Sequence, residues 1–142
     1  MKTRFGMTWP RSEENVREVL GDTGNGSTGY SAAREWGVTT QVPSSFQVAA
    51  LWTSDPIEGV TQHARRNRQR ASLKAKEIAL LELMRAPEVY AEAGWNTLTS
   101  KARDAILDGA LNANRLRVAV ARERNIAVRE NFDRLVSDLA VE

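Results

Sequence analysis

The sequence predicts an α+β domain: a small antiparallel sheet of two or three strands packed on a mostly helical body of five or six helices. Three observations carry this. The run Tyr30 to Trp52 contains a short helical stretch, a glycine stop and an apolar strand. A second extended stretch, Gly59 to Ala64, follows a Ser54-Asp55-Pro56 turn. From Ser72 onward apolar residues recur at helical spacing almost to the C-terminus. At 142 residues, the chain reads as a single domain: a loose arm over 1–10, helices with the small sheet over 11–70, and a helical half over 72–140.

Taken in order, Met1 to Pro10 carries Phe5, Met7 and Trp9, whose alternation allows either an unattached arm or an edge strand. Ser12 has the chemistry of an N-cap for a helix to Leu20. Glu13 and Glu14 fall in its first turn, and Val16, Val19 and Leu20 form its apolar face. Residues 21–29 hold four glycines and no apolar side chain, which reads as a plain loop. The next helix starts near Tyr30 and stops at Gly37, where a C-terminus favours a residue that tolerates positive φ. Pro43 then denies the helical region to Val42, so the chain leaves extended into the Phe46–Trp52 strand. The 59–64 stretch is expected to pair with that strand as a hairpin.

In the helical half, Ser72 caps a helix to Arg85 whose Ile78, Leu80, Leu81, Leu83 and Met84 wrap more than one face, the pattern of a central buried helix. Pro87 begins a short turn of helix that ends at Gly94. Further helices are expected from Asn96 or Thr97 to Asp108, from Asn112 through Arg124, and from Asn125 through Leu139.

Composition bounds function. There is no cysteine, hence no disulfide, thiolate metal site or cysteine nucleophile, which fits a reducing cytoplasm. No apolar run is long enough to span a bilayer, and the N-terminus lacks a signal-peptide core, so no membrane partner is expected. Gly24 to Gly29 matches the dinucleotide fingerprint in letters, but a helix leads into it instead of a strand. Gly21 to Gly26 has P-loop spacing with Ser27 where the lysine belongs. His63 is the one histidine and lacks nearby ligands for a metal site. No Gly-x-Ser-x-Gly elbow occurs, and Glu77 and Glu82, five residues apart, do not share a helix face. The expectation is no enzyme, no cofactor and no metal. The four tryptophans, Trp9, Trp36, Trp52 and Trp95, stand at element ends, where closing a core is the commoner use of tryptophan.

The net charge of +2 conceals a basic run: Gly59 to Lys76 has no acid, and Arg65, Arg66, Arg68, Arg70, Lys74 and Lys76 supply six of the 20 basic groups. If the second strand continues through Arg70, then Arg66, Arg68 and Arg70 share one face at roughly 6.5 to 7 Å, close to the phosphate repeat of a nucleic-acid strand. Arg65, Arg66, Arg68, Arg70 and Lys74 are therefore the candidate nucleic-acid contacts, for DNA or RNA, against the alternative of a solvated loop before the Ser72 cap with some arginines pairing the acidic helices. Arg115, Arg117, Arg122 and Arg124 do not form a single helical stripe.

Gly29-Tyr30-Ser31-Ala32-Ala33 with Trp36-Gly37-Val38, followed by Gln41-Val42-Pro43 and a Val/Ala strand, resembles the opening of the effector half of AbiEi-family antitoxins of type IV toxin–antitoxin systems. Glu77 to Arg85 resembles the helix that follows the strands in that family. The resemblance covers roughly residues 27 to 140, with the usual boundary error. It implies an antitoxin-like regulatory protein that counteracts a cognate nucleotidyltransferase toxin and contributes to operon regulation. The family's N-terminal winged helix has no counterpart expected here, since 29 residues precede Tyr30. Alternatives from the residues themselves are a small nucleic-acid-binding module using the basic segment and a non-enzymatic assembly protein. The sequence leaves the oligomeric state open.

Overall fold

The computed structural model describes residues 8–140; the region holding Phe5 and Met7 lies outside them. Seven helices and three strands occur among the described residues: α1 Thr8–Leu20, β1 Asn25–Ser27, α2 Gly29–Glu35, β2 Phe46–Ala50, β3 Val60–Ala64, a 3-10 helix Arg68–Ser72, α3 Ala75–Leu83, α4 Pro87–Tyr90, α5 Trp95–Leu107, α6 Ala113–Ala121 and α7 Ile126–Ala140. The fold is α+β, with the sheet order β1-β2-β3.

Helix α3 is the hub. Every residue from Glu77 to Leu83 is buried. Ile78, Leu80, Leu81 and Leu83 are at most 1% exposed, and they join the cluster formed by Trp36, Val38, Leu98, Leu116, Val128, Phe132 and Leu135. A helix whose apolar side chains wrap more than one face belongs inside, and the two glutamates it takes with it, Glu77 and Glu82, are met there by hydrogen bonds. The amphipathic helices pack around it, α5 through Leu98, Ala102 and Ala105, and α7 through Val128, Phe132 and Leu135. A smaller cluster of Val16, Phe46 and Val48 joins α1 to the sheet. Gly37, at φ 69°, ends α2 as expected.

Three expectations require correction. First, the glycine-rich stretch is not a plain loop: Asn25, Gly26 and Ser27 form β1, all buried, antiparallel to β2 with Gly26 opposite Ala49. Polar composition hides this strand. Its side-chain groups are satisfied locally, with Asn25 Nδ2 donating to the Gly21 carbonyl at 3.0 Å and Ser27 Oγ donating to Glu35 at 2.6 Å. Second, β3 does not form a hairpin with β2; the two are parallel, Phe46 opposite Val60 and Ala50 opposite Ala64. The sheet is therefore mixed, not purely antiparallel. Residues 51–59 carry the chain back the length of a five-residue strand, within reach of an extended connection at about 3.3 Å per residue. Gln62 pins this return by accepting from Ser54 N at 2.8 Å and donating to the Asp55 carbonyl at 3.2 Å. Third, Ser12 is not a cap; it lies within α1 and is buried, while Trp9 stands in the same helix and not in a strand.

The close approach of β1 to α3 depends on glycine. A Cβ on Gly26 would lie 2.5 Å from the Ala75 carbonyl oxygen and 2.8 Å from the Ile78 Cβ. Both are held by the first turn of α3, so the strand would have to move. Gly26→Ala is expected to lower stability by about 1 to 3 kcal/mol, as overpacking does, read as a fall in the urea midpoint with the helical circular dichroism retained.

Candidate nucleic-acid interface

Strand β3 ends at Ala64, where the Arg65 amide makes its last sheet contact by donating to the Ala50 carbonyl at 2.7 Å. Asn67 then caps a 3-10 helix, accepting from Gln69 N at 3.0 Å, while its Nδ2 donates to the Ala119 carbonyl and to Glu123, both at 2.7 Å. The chain thus turns inward at Asn67, and the arginine row on an extended strand does not form.

Arg70 is the clearest departure from the nucleic-acid reading and follows the alternative in which arginines of this run pair with acids of the helical half. It is 1% exposed and is no candidate for contact with a ligand. Its Nε and Nη2 donate to Glu123 at 2.7 and 3.1 Å, and its Nη1 stands 2.7 Å from a Glu82 oxygen. Glu82, fully buried, also accepts from Arg65 Nε at 3.2 Å and from the Thr28 hydroxyl at 2.7 Å. Burial alone would lower the Arg70 pKa, but its hydrogen bonds to Glu123 and the charges of Glu82 and Glu123 outweigh it and raise the value. Burial alone would likewise raise Glu82, yet the charges of Arg70 and Arg65 and the Thr28 hydroxyl hold it below the usual 4.5.

With Arg65 and Arg70 matched by Glu82 and Glu123, four arginines around them are left over. Arg66, Arg85, Arg122 and Arg124 form no ion pair with a carboxylate among the described residues. All four, with Arg65, line one open cleft of about 750 Å3, whose remaining walls are Ala64, Asn67, Glu123 and Asn125. A neighbouring cavity of about 340 Å3 shares Arg65, Arg85 and Asn125 and adds Thr28, Gln47, His63 and Tyr90. His63 Nε2 donates to the Gln47 side-chain oxygen at 2.9 Å. Its pKa is lowered by burial first, then by the charges of Arg65 and Arg85.

The cleft is assembled from three separated stretches, and sequence reasoning found only the first. Of the five candidates, Arg65 and Arg66 reach it; Arg68 and Lys74 are exposed but do not line it, and Arg70 lies beneath. Arg85 sits just beyond α3. Arg122 and Arg124 were set aside as forming no single helical stripe because α6 was expected to run through Arg124, whereas it ends at Ala121 with Arg122 as its C-cap. In the following turn Glu123 points inward to Arg70 and is 6% exposed, while the arginines on either side are exposed. An Arg-Glu-Arg alternation in a turn, with no apolar face to continue a helix, is the signal that was available. Trp52 also departs from the core role expected of it: it is 55% exposed, with the Arg66 guanidinium 5.6 Å from its ring centroid. Trp36 follows the expectation, being 3% exposed with Nε1 donating to the Lys76 carbonyl at 3.2 Å.

No protein-family model, curated protein or solved structure matches the chain. The assignment of the cleft therefore rests on its chemistry. An excess of guanidinium groups facing solvent in a concave site is a site for anions, since the recess concentrates the field that all of them create. Guanidinium forks also match phosphate geometry with paired hydrogen bonds.

Elsewhere, a cavity of about 480 Å3 among α1, β1, α2 and β2 is lined by Glu13, Asp22 and Glu35 together with Arg17 and Arg34. Three acids stand against two arginines, so it lacks the positive field of the arginine cleft. Glu77 and Glu82 face different partners, as their spacing implied: Glu77 accepts from the Lys74 and Asn112 amides at 2.9 and 2.7 Å. Among the described residues no group of three His, Cys, Asp or Glu is arranged to hold a metal ion, and no helix is long and apolar enough to cross a membrane.

Removing Arg70 leaves Glu123 and Glu82 short of their main partner inside the protein. Arg70→Ala is expected to destabilise by about 3 to 5 kcal/mol, the cost of breaking a buried ion pair, measured by urea unfolding. The pH dependence follows from Glu82. Its folded pKa is below the unfolded one, so the stability it contributes is complete above pH 4.5 and is lost as pH falls toward the folded value. The Glu82→Gln variant should therefore start less stable at neutral pH and lose less than the parent on acidification below 4.5, in urea midpoints compared across pH.

Proposed function

We propose that this chain is an antitoxin-like regulatory protein that acts by touching another macromolecule, with the arginine cleft as its contact surface. The observation that carries the contact is the set of four arginines without carboxylate partners among the described residues, gathered from three parts of the chain around one recess. Unpaired like charges repel one another across a recess and lower stability there, so their concentration has its rationale in an anionic partner. The antitoxin part rests on the resemblance of Gly29 to Val38, Gln41 to Pro43 and Glu77 to Arg85 to the effector half of AbiEi-family proteins. The order of elements supports that reading: α2, its Gly37 stop, the β2 and β3 strands and α3 follow one another as the resemblance implies. On this reading the partner is a nucleotidyltransferase toxin, and operon regulation accompanies its neutralisation.

A second reading, favoured by the charge of the cleft, is a small nucleic-acid-binding module that acts without a toxin. Under it the cleft meets the phosphate backbone directly.

The test is to look for a nucleotidyltransferase encoded beside the gene and to co-express it with the full chain. Rescue of growth, lost on reversing the charge of Arg122 and Arg124 to Glu, is the expected result. A toxic nucleotidyltransferase that stays fully active in the presence of the folded chain overturns the antitoxin reading.

A further inference from the structure

The cleft has a neighbour that a site for a free anion would not need. Trp52 follows the end of β2, more than half exposed, and Arg66 lies over its ring while also lining the cleft. Arg66 therefore ties an exposed aromatic face to a recess holding Arg85, Arg122 and Arg124. A groove of cations that follows the phosphates, beside an aromatic ring on which a base stacks, is the arrangement by which proteins hold single strands. A duplex has no base face to offer Trp52, because its bases are stacked on each other.

We propose that this cleft binds single-stranded nucleic acid, the phosphates lying across Arg66, Arg85, Arg122 and Arg124 and one base stacking on Trp52. The proposal rests on the reading of the cleft as the contact surface and names the chemistry that fills it. The cavity that shares Arg65 and Arg85 is polar but satisfied internally, His63 bonding Gln47 and the Thr28 hydroxyl bonding Glu82, so the strand site is confined to the arginine cleft and Trp52. The pairs Arg65–Glu82 and Arg70–Glu123 form the floor, so these two carboxylates are engaged there and leave the outer arginines unneutralised.

DNA and RNA share this chemistry, and titration separates them. The full chain is titrated, by fluorescence anisotropy, into a labelled 12-mer of deoxythymidine, a 12-mer of uridine, and a 12-base-pair DNA duplex, each at several salt concentrations. Binding of either single strand more tightly than the duplex is expected, and the tighter of the two identifies the natural class. Affinity should fall with salt at a slope of about 0.7 per phosphate contacted, and the Arg122→Gln/Arg124→Gln double variant should flatten that slope by about 1.4. Trp52→Ala should weaken binding on the order of tenfold, as for loss of one stacked base. Arg68→Gln, an exposed arginine of the same basic run that lies outside the cleft, should change nothing. All three variants lie at exposed positions, and thermal melts establish that each is folded. Absence of binding to both single strands, a preference for the duplex, or equal losses from Arg68→Gln and the Arg122/Arg124 pair would each overturn the proposal. Failure here with growth rescue by co-expression intact would remove the strand and leave the toxin reading standing.

Discussion

The contact on which the rest of the structure depends is the placement of Arg70 between Glu82 and Glu123, inside the protein. Moving three charges out of water costs several kcal/mol for each ion, and their mutual attraction offsets that only with close geometry and full hydrogen bonding. The geometry is close and both carboxylates are hydrogen-bonded, while Arg70 Nη1 meets Glu82 as an ion pair at 2.7 Å without hydrogen-bond alignment. Arg70 engages Glu123 through two nitrogens, Glu82 receives Arg65 and Thr28 as well, and Glu123 receives Asn67. The cluster joins the start of α2, the end of β3, the 3-10 helix, the last turn of α3 and the turn after α6. An apolar core of the same size would hold those segments together without specifying their relative positions. Charges that must each find a partner allow one arrangement.

The same arrangement creates the basic cleft. Because Asn67 turns the chain inward, Arg70 is withdrawn from the surface while Arg65 and Arg66 stay at the rim. Because Glu123 must reach Arg70, α6 stops at Ala121, and Arg122 and Arg124 are turned outward beside it. Two carboxylates are consumed in the floor, and the arginines above them keep their charge. The interior ion pairs and the surface field are thus two consequences of one folding constraint. A substitution in the floor therefore alters the cleft as well as stability.

Legibility in the sequence varied with the physical signal. The central position of α3 was readable because Ile78, Leu80, Leu81, Leu83 and Met84 point in too many directions for a surface helix, and they are all buried. The end of α2 was readable because Gly37 marks a positive φ. β1 was not, since Asn25, Gly26 and Ser27 have no apolar alternation and are held by main-chain pairing and by fit against α3. The parallel pairing of β2 and β3 was also hidden: the intervening turn residues suit a hairpin equally well, and strand direction depends on where the return loop is anchored. Only half of the cleft was visible, as the Arg65 to Arg70 run. The other half comes from Arg85 and the α6–α7 turn, far away in sequence.

By itself the sequence determined a helical α+β protein without cysteine chemistry, with α3 as its axis and a local excess of basic residues after β3. Those properties follow from local rules of periodicity, turn chemistry and composition. Tertiary structure decided which arginines are structural and which face solvent. That division depends on where Glu82 and Glu123 lie in space, 17 residues beyond Arg65 and 53 beyond Arg70, and no local pattern records a separation of that size.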